Sequence, residues 1–430
     1  MGNNEKILLG NGRIIDPLNG LDQGGDILIY KGRIEAIVES GSLEVPEDCQ
    51  QIDLEGKWLT PGLIDMHVHL REPGEEYKET IASGTRAAAA GGFTAVACMP
   101  NTRPVNDSEA VTSLIVTRAA NCPARVYPVG AISKNSEGNS LAPFGEMKAA
   151  GAVALSDDGS PVISSLLMRR ALEYGANYDM LIISHAEELS LSQNGAMNEG
   201  PLSTRMGLRG IPSVAETIMI YRDIALAEYL DRPVHIAHVS TREAVDLIRR
   251  AKERGVKVTA ETAPHYFSLT EEAVSEYDTN AKMYPPLRSF RDREAVCQAL
   301  QEGVLDAIAS DHAPHSILEK DQEFEEAANG IIGLETAVPL TLSMVRKNIL
   351  TPVRMIELMS LNPSRILGIK GGSLQDGGIA DLTVIDPEKE FVYQADKVVS
   401  KSSNSPFFDW HMKGKAVLTI MDGKIRFCDI

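Results

Sequence analysis

The chain has 430 residues, 43% hydrophobic and 24% charged, with a formal net charge of -18. That acidity argues against nucleic acid or an anionic membrane surface as the main partner, since both would be repelled. It leaves room for an anionic small molecule held by a local cation.

Five scattered cysteines without a CxxC pair (Cys49, Cys98, Cys122, Cys297 and Cys428) argue against a disulfide framework or a thiolate metal site. The opening residues lack a basic stretch followed by an apolar one, and Lys6 stands where a myristoylation motif after Gly2 needs Ser or Thr. With no run of 18 apolar residues to span a membrane, the cytoplasm is the expected compartment.

Residues 1–60 read as short strands and turns: Lys6–Leu9, then Asp26–Tyr30 and Arg33–Val38 joined by Lys31-Gly32. Alternating strand and helix signals follow. Apolar runs predict strands at Leu63–His67, Thr94–Met99, Val126–Ala131, Ala152–Leu155, Leu181–Ser184, Val234–Ala237, Val256–Ala260 and Ala307–Ser310. Helical stretches between them include Glu79–Ala90, Val214–Leu230, Arg242–Arg254 and Arg291–Gln301. Eight such units predict an α/β fold, a closed (β/α)8 TIM barrel over residues 61–369. The C-terminal end returns to strands at Asp381–Ile385, Ala416–Met421 and Lys424–Phe427. Neither end is large enough for its own core, so residues 1–60 and 370–430 are expected to pair into one small β-sandwich domain.

The strongest local signal is Asp65-Met66-His67-Val68-His69. On a strand, residues i and i+2 share a face, so His67 and His69 point together at the end of the first barrel strand, where barrel active sites sit. Two imidazoles placed this way can hold zinc, although HxH also occurs by chance on exposed strand ends. Further metal-competent residues each follow a short apolar run: Asp157 and Asp158, His185, His238 and Asp311. Coincidence at strands 1, 4, 5, 6 and 8 is hard to sustain. His235 cannot share a strand face with His238 and is expected behind the site; His411 is expected at the surface.

This pattern resembles the amidohydrolase superfamily. The resemblance implies that His67, His69 and Asp311 hold one metal ion and His185 and His238 a second. A strand-4 group bridges them; many relatives use a carboxylated lysine there, but no lysine lies in residues 152–159. A bacterial branch of the dihydroorotases has Asp at this place, and the resemblance implies Asp158 as the bridge here, with Asp157 as the alternative. The cofactor expected is zinc, one or two ions with two favoured.

His67-Val68-His69-Leu70-Arg71-Glu72-Pro73-Gly74 is similar to a dihydroorotase string. Its Arg71 suits a substrate carboxylate, because a guanidinium fork matches a carboxylate bidentately. By the same resemblance Asn101, in Met99-Pro100-Asn101-Thr102, helps bind that carboxylate. His315, in Asp311-His312-Ala313-Pro314-His315, binds the substrate, and the backbone at Gly330 and Ile331 meets the ring amide. Two departures stand out. The family's Asn before Pro-Pro-Leu-Arg is Tyr284 here, with one hydroxyl where an amide offers a donor and an acceptor. The usual Pro-His-His reads Pro264-His265-Tyr266.

The resemblance therefore implies a dihydroorotase-type enzyme that closes N-carbamoyl-L-aspartate to L-dihydroorotate plus water, reversibly, in pyrimidine biosynthesis. Asp311 would be the catalytic acid and base. An allantoinase or hydantoinase is the first alternative, and a non-catalytic partner of aspartate transcarbamoylase the second. A homodimer is expected, with association with aspartate transcarbamoylase left open. The acidic segment 316–330 reads as either a mobile cover over the site or a surface insertion.

Overall fold

The computed structural model describes residues 6–43 and 48–430; the reading at Gly2 lies outside them. Eight parallel strands follow one another in chain order: Leu63–Val68, Phe93–Cys98, Arg125–Gly130, Ala154–Ser156, Leu181–Ser184, Val234–Ile236, Val258–Thr262 and Ala307–Ile308. They are called barrel strands 1 to 8 below. Strand 1 returns to strand 8 through a parallel bridge between Val68 and His312, with His69 N–H donating to His312 O at 2.8 Å. The closure is reinforced by the buried Asp65 carboxylate, which accepts from Ser310 N–H at 3.1 Å and from His67 N–H at 3.2 Å.

Strands 1 and 2 are buried at every residue. This is the expected state of a parallel strand covered on one side by helices and on the other by the barrel interior. Met66, Ala97, Val129, Ala154, Ile183 and Ala307 form part of that interior. The outer helices follow the predicted stretches closely. Val214–Leu230 matches residue for residue; the first helix begins at Ile81, where Thr80 and Ser83 close a capping box.

Both chain ends meet in one eight-stranded sheet. Trp58–Pro61 pairs in parallel with Lys6–Asp16 and antiparallel with Leu382–Val392, so the two ends are joined at the sheet's centre. Ile7, Leu9, Leu59, Leu382, Val384 and Leu418 are among the side chains of its own core. The chain then enters the barrel directly through Gly62. A Cβ there would sit 2.2 Å from Thr94 Oγ1, so only glycine permits this approach of strands 1 and 2. The layout leaves the C-terminal ends of the barrel strands facing away from the strand starts, where the sheet attaches.

Candidate metal centre and substrate pocket

Each chemically distinctive side chain sits at or just past the end of a barrel strand. His67 and His69 close strand 1, where pairing with strand 2 shifts register between Asp65 and Val68; such irregularities re-aim side chains beside active sites. Asp158 follows strand 4, His185 strand 5, His238 strand 6 and Asp311 strand 8. Arg71, His238 and Asp311 have φ of 62°, 35° and 48°. Such left-handed backbone costs roughly 1–3 kcal/mol at each non-glycine residue and persists only where surroundings enforce it.

The donor atoms converge. Ligand-competent atoms of His67, His69 and Asp311 lie within 4.8 Å of one another, as do those of His67, Asp158 and His238. Asp158 Oδ1 is 3.4 Å from His67 Nε2, His185 Nδ1 and His238 Nε2 alike. Its Oδ2 is 3.5 Å from His69 Nε2. Asp311 Oδ1 is 3.2 Å from His69 Nε2 and 3.5 Å from His67 Nε2. His185 Nδ1 and His238 Nε2 are 2.8 Å apart. Asp157 points elsewhere, accepting from Ile132 N–H at 2.8 Å and from Ser133 N–H at 3.0 Å.

His67 Nε2 and Asp158 Oδ1 are buried without a hydrogen-bond partner among the described residues. Buried polar atoms are rarely left so, and a divalent cation at the convergence point would satisfy both. Imidazole and carboxylate donors suit zinc, so the residues present fit the implied metal.

The electrostatics agree. Burial alone would raise the Asp158 carboxyl, but the facing rings of His67, His185 and His238 outweigh it and hold it well below the ordinary range. Burial would lower His67; the charges of Asp158 and Asp311 overcome this and raise it well above the usual imidazole value. His185 is likewise lifted against burial, to about 10, chiefly through Asp158 and Glu187. These rings take up protons in answer to concentrated negative charge, as they would yield to a cation.

A cavity of about 360 Å³ opens beside this cluster, and Arg71, Asn101, Tyr284 and His315 line it. The Arg71 guanidinium is buried, with Nε donating to Pro314 O at 3.1 Å and one NH2 3.2 Å from His315 Nε2. Among the described residues no carboxylate pairs with it. His315 is pushed down to about 2 by burial and the Arg71 charge, so it is neutral; among the described residues its buried Nδ1 makes no hydrogen bond, with Glu319 Oε2 3.8 Å away. Asn101 accepts at Oδ1 from His69 Nδ1, 2.8 Å away.

Gly330 has φ of 156°, and a Cβ there would lie 2.6 Å from Ala313 O and 2.7 Å from His315 Cδ2. Its own polar groups are occupied: its N–H donates to Lys282 O at 2.9 Å, and its carbonyl accepts from Asn404 at 2.9 Å and from Lys320 at 3.1 Å. Ile331 O accepts from Ala313 N–H at 2.9 Å. The cavity wall there is made by Asn329, not by Gly330 or Ile331. The Tyr284 hydroxyl donates to Glu187.

Two carboxylates belong to the site that sequence reasoning did not single out. Glu261 Oε1 is 2.7 Å from His67 Nδ1, and its Oε2 is 3.4 Å from His235 Nε2, which places His235 behind the His and Asp cluster. Glu187 Oε2 is 3.2 Å from His185 Nε2. His312 pairs with Glu79 at 3.4 Å, and His411 is exposed.

A dihydro-orotase-like family profile matches residues 56–244. The dihydroorotase of Desulfotalea psychrophila is 58% identical, covering 98% of this chain and 99% of its own length. That of Syntrophus aciditrophicus is 55% identical, with coverage of 98% and 99%. Among solved structures, the L-hydantoinase (dihydropyrimidinase) of Arthrobacter aurescens superposes with a TM-score of 0.89 at 25% identity, covering 98% of this chain and 96% of that one. The dihydropyrimidinase of Brevibacillus agri shares the fold, with a TM-score of 0.86 at 21% identity over 99% of this chain and 95% of its own.

Proposed function

The chain belongs to the dihydroorotase family, and from that premise we propose how its pocket works on N-carbamoyl-L-aspartate and L-dihydroorotate. The protein is a cyclic-amide hydrolase acting on a small molecule, and its reaction is the reversible loss of water that closes carbamoyl aspartate into the dihydroorotate ring. The observation that carries this reading is a buried Arg71 guanidinium, in no direct ion pair among the described residues, beside the His and Asp cluster in one cavity. An unpaired buried guanidinium is costly unless an anion answers it, and the substrate supplies a carboxylate.

The residues would suit two zinc ions: His67, His69 and Asp311 would hold one, His185 and His238 the other, and Asp158 would serve both. Zinc bound there would supply a water of lowered pKa and Lewis-acid polarisation of the amide carbonyl. Arg71, Asn101 and the neutral His315 orient the substrate carboxylate, so the amide carbon is presented to the cluster rather than to solvent. Asp311 holds a proton at one carboxyl oxygen as the ring opens and returns it to the departing ring nitrogen; in the cyclising direction the transfers reverse. Burial would raise this carboxyl, but the facing imidazoles of His67, His69 and His238 outweigh it and hold it below its usual range, so it starts as the base.

A hydantoinase or allantoinase is the competing reading. It gives the Arg71 guanidinium no substrate carboxylate to bind, whereas the dihydroorotase reading employs it. A non-catalytic role alongside aspartate transcarbamoylase would not require the convergence of four imidazoles and two carboxylates. The deciding experiment measures turnover of carbamoyl aspartate, dihydroorotate, hydantoin and allantoin by the full chain, with chelator and after zinc is restored. Chelator-sensitive, zinc-restored turnover of the first pair supports the assignment. Preference for hydantoin or allantoin overturns it.

The assembly favoured is a homodimer in the cytoplasm. Val214, Ile218, Tyr221 and Tyr229 project from the outer face of helix Val214–Leu230 at helical spacing, and the packed helix Ser165–Gly175 adds Leu166. Sedimentation of the wild type and of Tyr221→Glu tests this; an unaltered dimer in the variant would locate the interface elsewhere. Co-sedimentation with aspartate transcarbamoylase tests the further partner. No helix among the described residues is long and apolar enough to cross a membrane.

A further inference from the structure

We propose that Tyr284 is a positioning residue for the strand-5 metal ligand: acting through Glu187, it fixes the His185 ring with Nδ1 turned toward Asp158. This rests on the metal-site reading above and departs from the substrate contact expected of residue 284.

The chain of contacts is continuous. The Tyr284 hydroxyl donates to Glu187 Oε1, and Glu187 Oε2 lies 3.2 Å from His185 Nε2. A phenol has one proton to donate and a carboxylate only accepts. The hydroxyl proton is therefore committed to Glu187, and the remaining Glu187 oxygen requires an N–H at His185 Nε2. A neutral imidazole with its proton at Nε2 has its lone pair at Nδ1. That atom faces Asp158 Oδ1 at 3.4 Å and His238 Nε2 at 2.8 Å. The tautomer needed for a metal ligand is thus selected from outside the cluster.

The Tyr284 ring adds a second restraint. It lies nearly parallel to the His185 imidazole, with centroids 6.3 Å apart and an interplanar angle of 11°. Glu187 is itself buried, so its carboxylate cannot exchange these partners for bulk water. An asparagine in place of Tyr284 would have neither the ring face nor the length of the phenol. This site therefore couples the connection before strand 8 to the ligand of strand 5, 97 residues earlier in the chain between Glu187 and Tyr284.

The test uses the full chain and two variants, Tyr284→Phe and Glu187→Gln. Zinc affinity is measured by competition with a chromophoric chelator, alongside KM and kcat for carbamoyl aspartate at limiting and saturating zinc. Loss of an outer partner of a metal-ligating histidine typically weakens metal binding about 10–100-fold. Both variants are expected to lose at least about tenfold in zinc affinity, to keep KM within about twofold of wild type, and to recover kcat when zinc is in excess. Unchanged zinc affinity with a raised KM in Tyr284→Phe would overturn the proposal and make Tyr284 a substrate contact. Unchanged zinc affinity and KM would overturn it outright. Should Tyr284→Phe fail to fold, wild-type zinc affinity in Glu187→Gln would overturn it alone. Failure of the wild-type chain to bind zinc would instead sink the metal-site reading beneath it.

Discussion

Glu261 Oε1 lies 2.7 Å from His67 Nδ1, while Nε2 of the same ring faces Asp158 and Asp311. Strand 7 thereby positions His67 of strand 1 from behind. The carboxylate fixes the proton at Nδ1 and leaves the Nε2 lone pair for a cation. Burial would raise Glu261, yet its bonds from His235 and His67 outweigh that and hold it at about 2. Glu261→Gln should cost about 10–100-fold in zinc affinity. It should also cost stability, since a buried imidazole loses a charged partner. Zinc titration of the folded variant checks this, and wild-type affinity would show that Glu261 serves packing only.

The proton load of the cluster sets a pH dependence. His185 stands at about 10 in the metal-free site against an ordinary 6.5, because Asp158 and Glu187 outweigh burial. A raised folded value stabilises the metal-free protein fully below about 6.5, and this contribution is lost as pH climbs through about 10. Zinc requires the neutral ring and must displace protons, so its affinity rises over the same interval. The gap in melting temperature between zinc-loaded and chelated protein should therefore widen from about pH 6.5 to about pH 9. Calorimetry in buffers of different ionisation enthalpy should register proton release on zinc binding. A gap that narrows with pH would contradict this account.

Arg71 separates substrate binding from metal binding. Its guanidinium touches Pro314 O and His315 but no carboxylate among the described residues. Charged hydrogen bonds are worth about 1.5–3 kcal/mol, so Arg71→Met should lower kcat/KM for carbamoyl aspartate by roughly 10–100-fold, mainly through KM. Zinc content should stay at the wild-type value. Steady-state kinetics with metal analysis of the same sample decide the matter. Loss of zinc together with activity would place Arg71 in the metal site instead.

Much of this architecture is legible in the sequence because parallel strands buried on both sides read as short apolar runs, as at Leu181–Ser184. HxH at the end of strand 1 and single His or Asp residues after later strands then locate the barrel mouth. Glu261 escapes notice for a physical reason. A charged residue ends an apolar run, so Val256–Ala260 reads as the complete strand, whereas the observed strand continues to Thr262. Its carboxylate is buried there because two histidines from other strands meet it, and nothing local to strand 7 announces them. Glu187 is hidden among ordinary acidic neighbours in Glu187-Glu188, and only the fold brings Tyr284 to it. Asp158 and Asp157 look equivalent in the sequence; the backbone amides of Ile132 and Ser133, which engage Asp157, tell them apart.

Segment 316–330, legible only as an acidic stretch of unknown mobility, is tied down by two lysines. Lys320 is buried, and its ammonium donates to Ala328 O at 2.7 Å, Gly330 O at 3.1 Å and Lys282 O at 3.4 Å. Lys282 Nζ donates to Glu325 O at 2.7 Å and Ala327 O at 2.8 Å. Five carbonyl contacts thus secure the backbone that carries Asn329 into the cavity wall. Burial, with the Lys282 charge adding to it, pushes Lys320 down to about 7. A lowered ammonium value means that the buried charge costs stability below about pH 7, a cost relieved as pH rises toward 10.5. Lys320→Met removes the charge but strands the carbonyls, each costing about 1–3 kcal/mol if left unsatisfied. The variant should therefore exchange the amide hydrogens of residues 325–330 faster than wild type and raise KM at unchanged zinc content. Wild-type amides in this segment should exchange slowly. Fast exchange in the wild type itself would mean that the lysine contacts are not maintained in solution and that the segment moves as a cover.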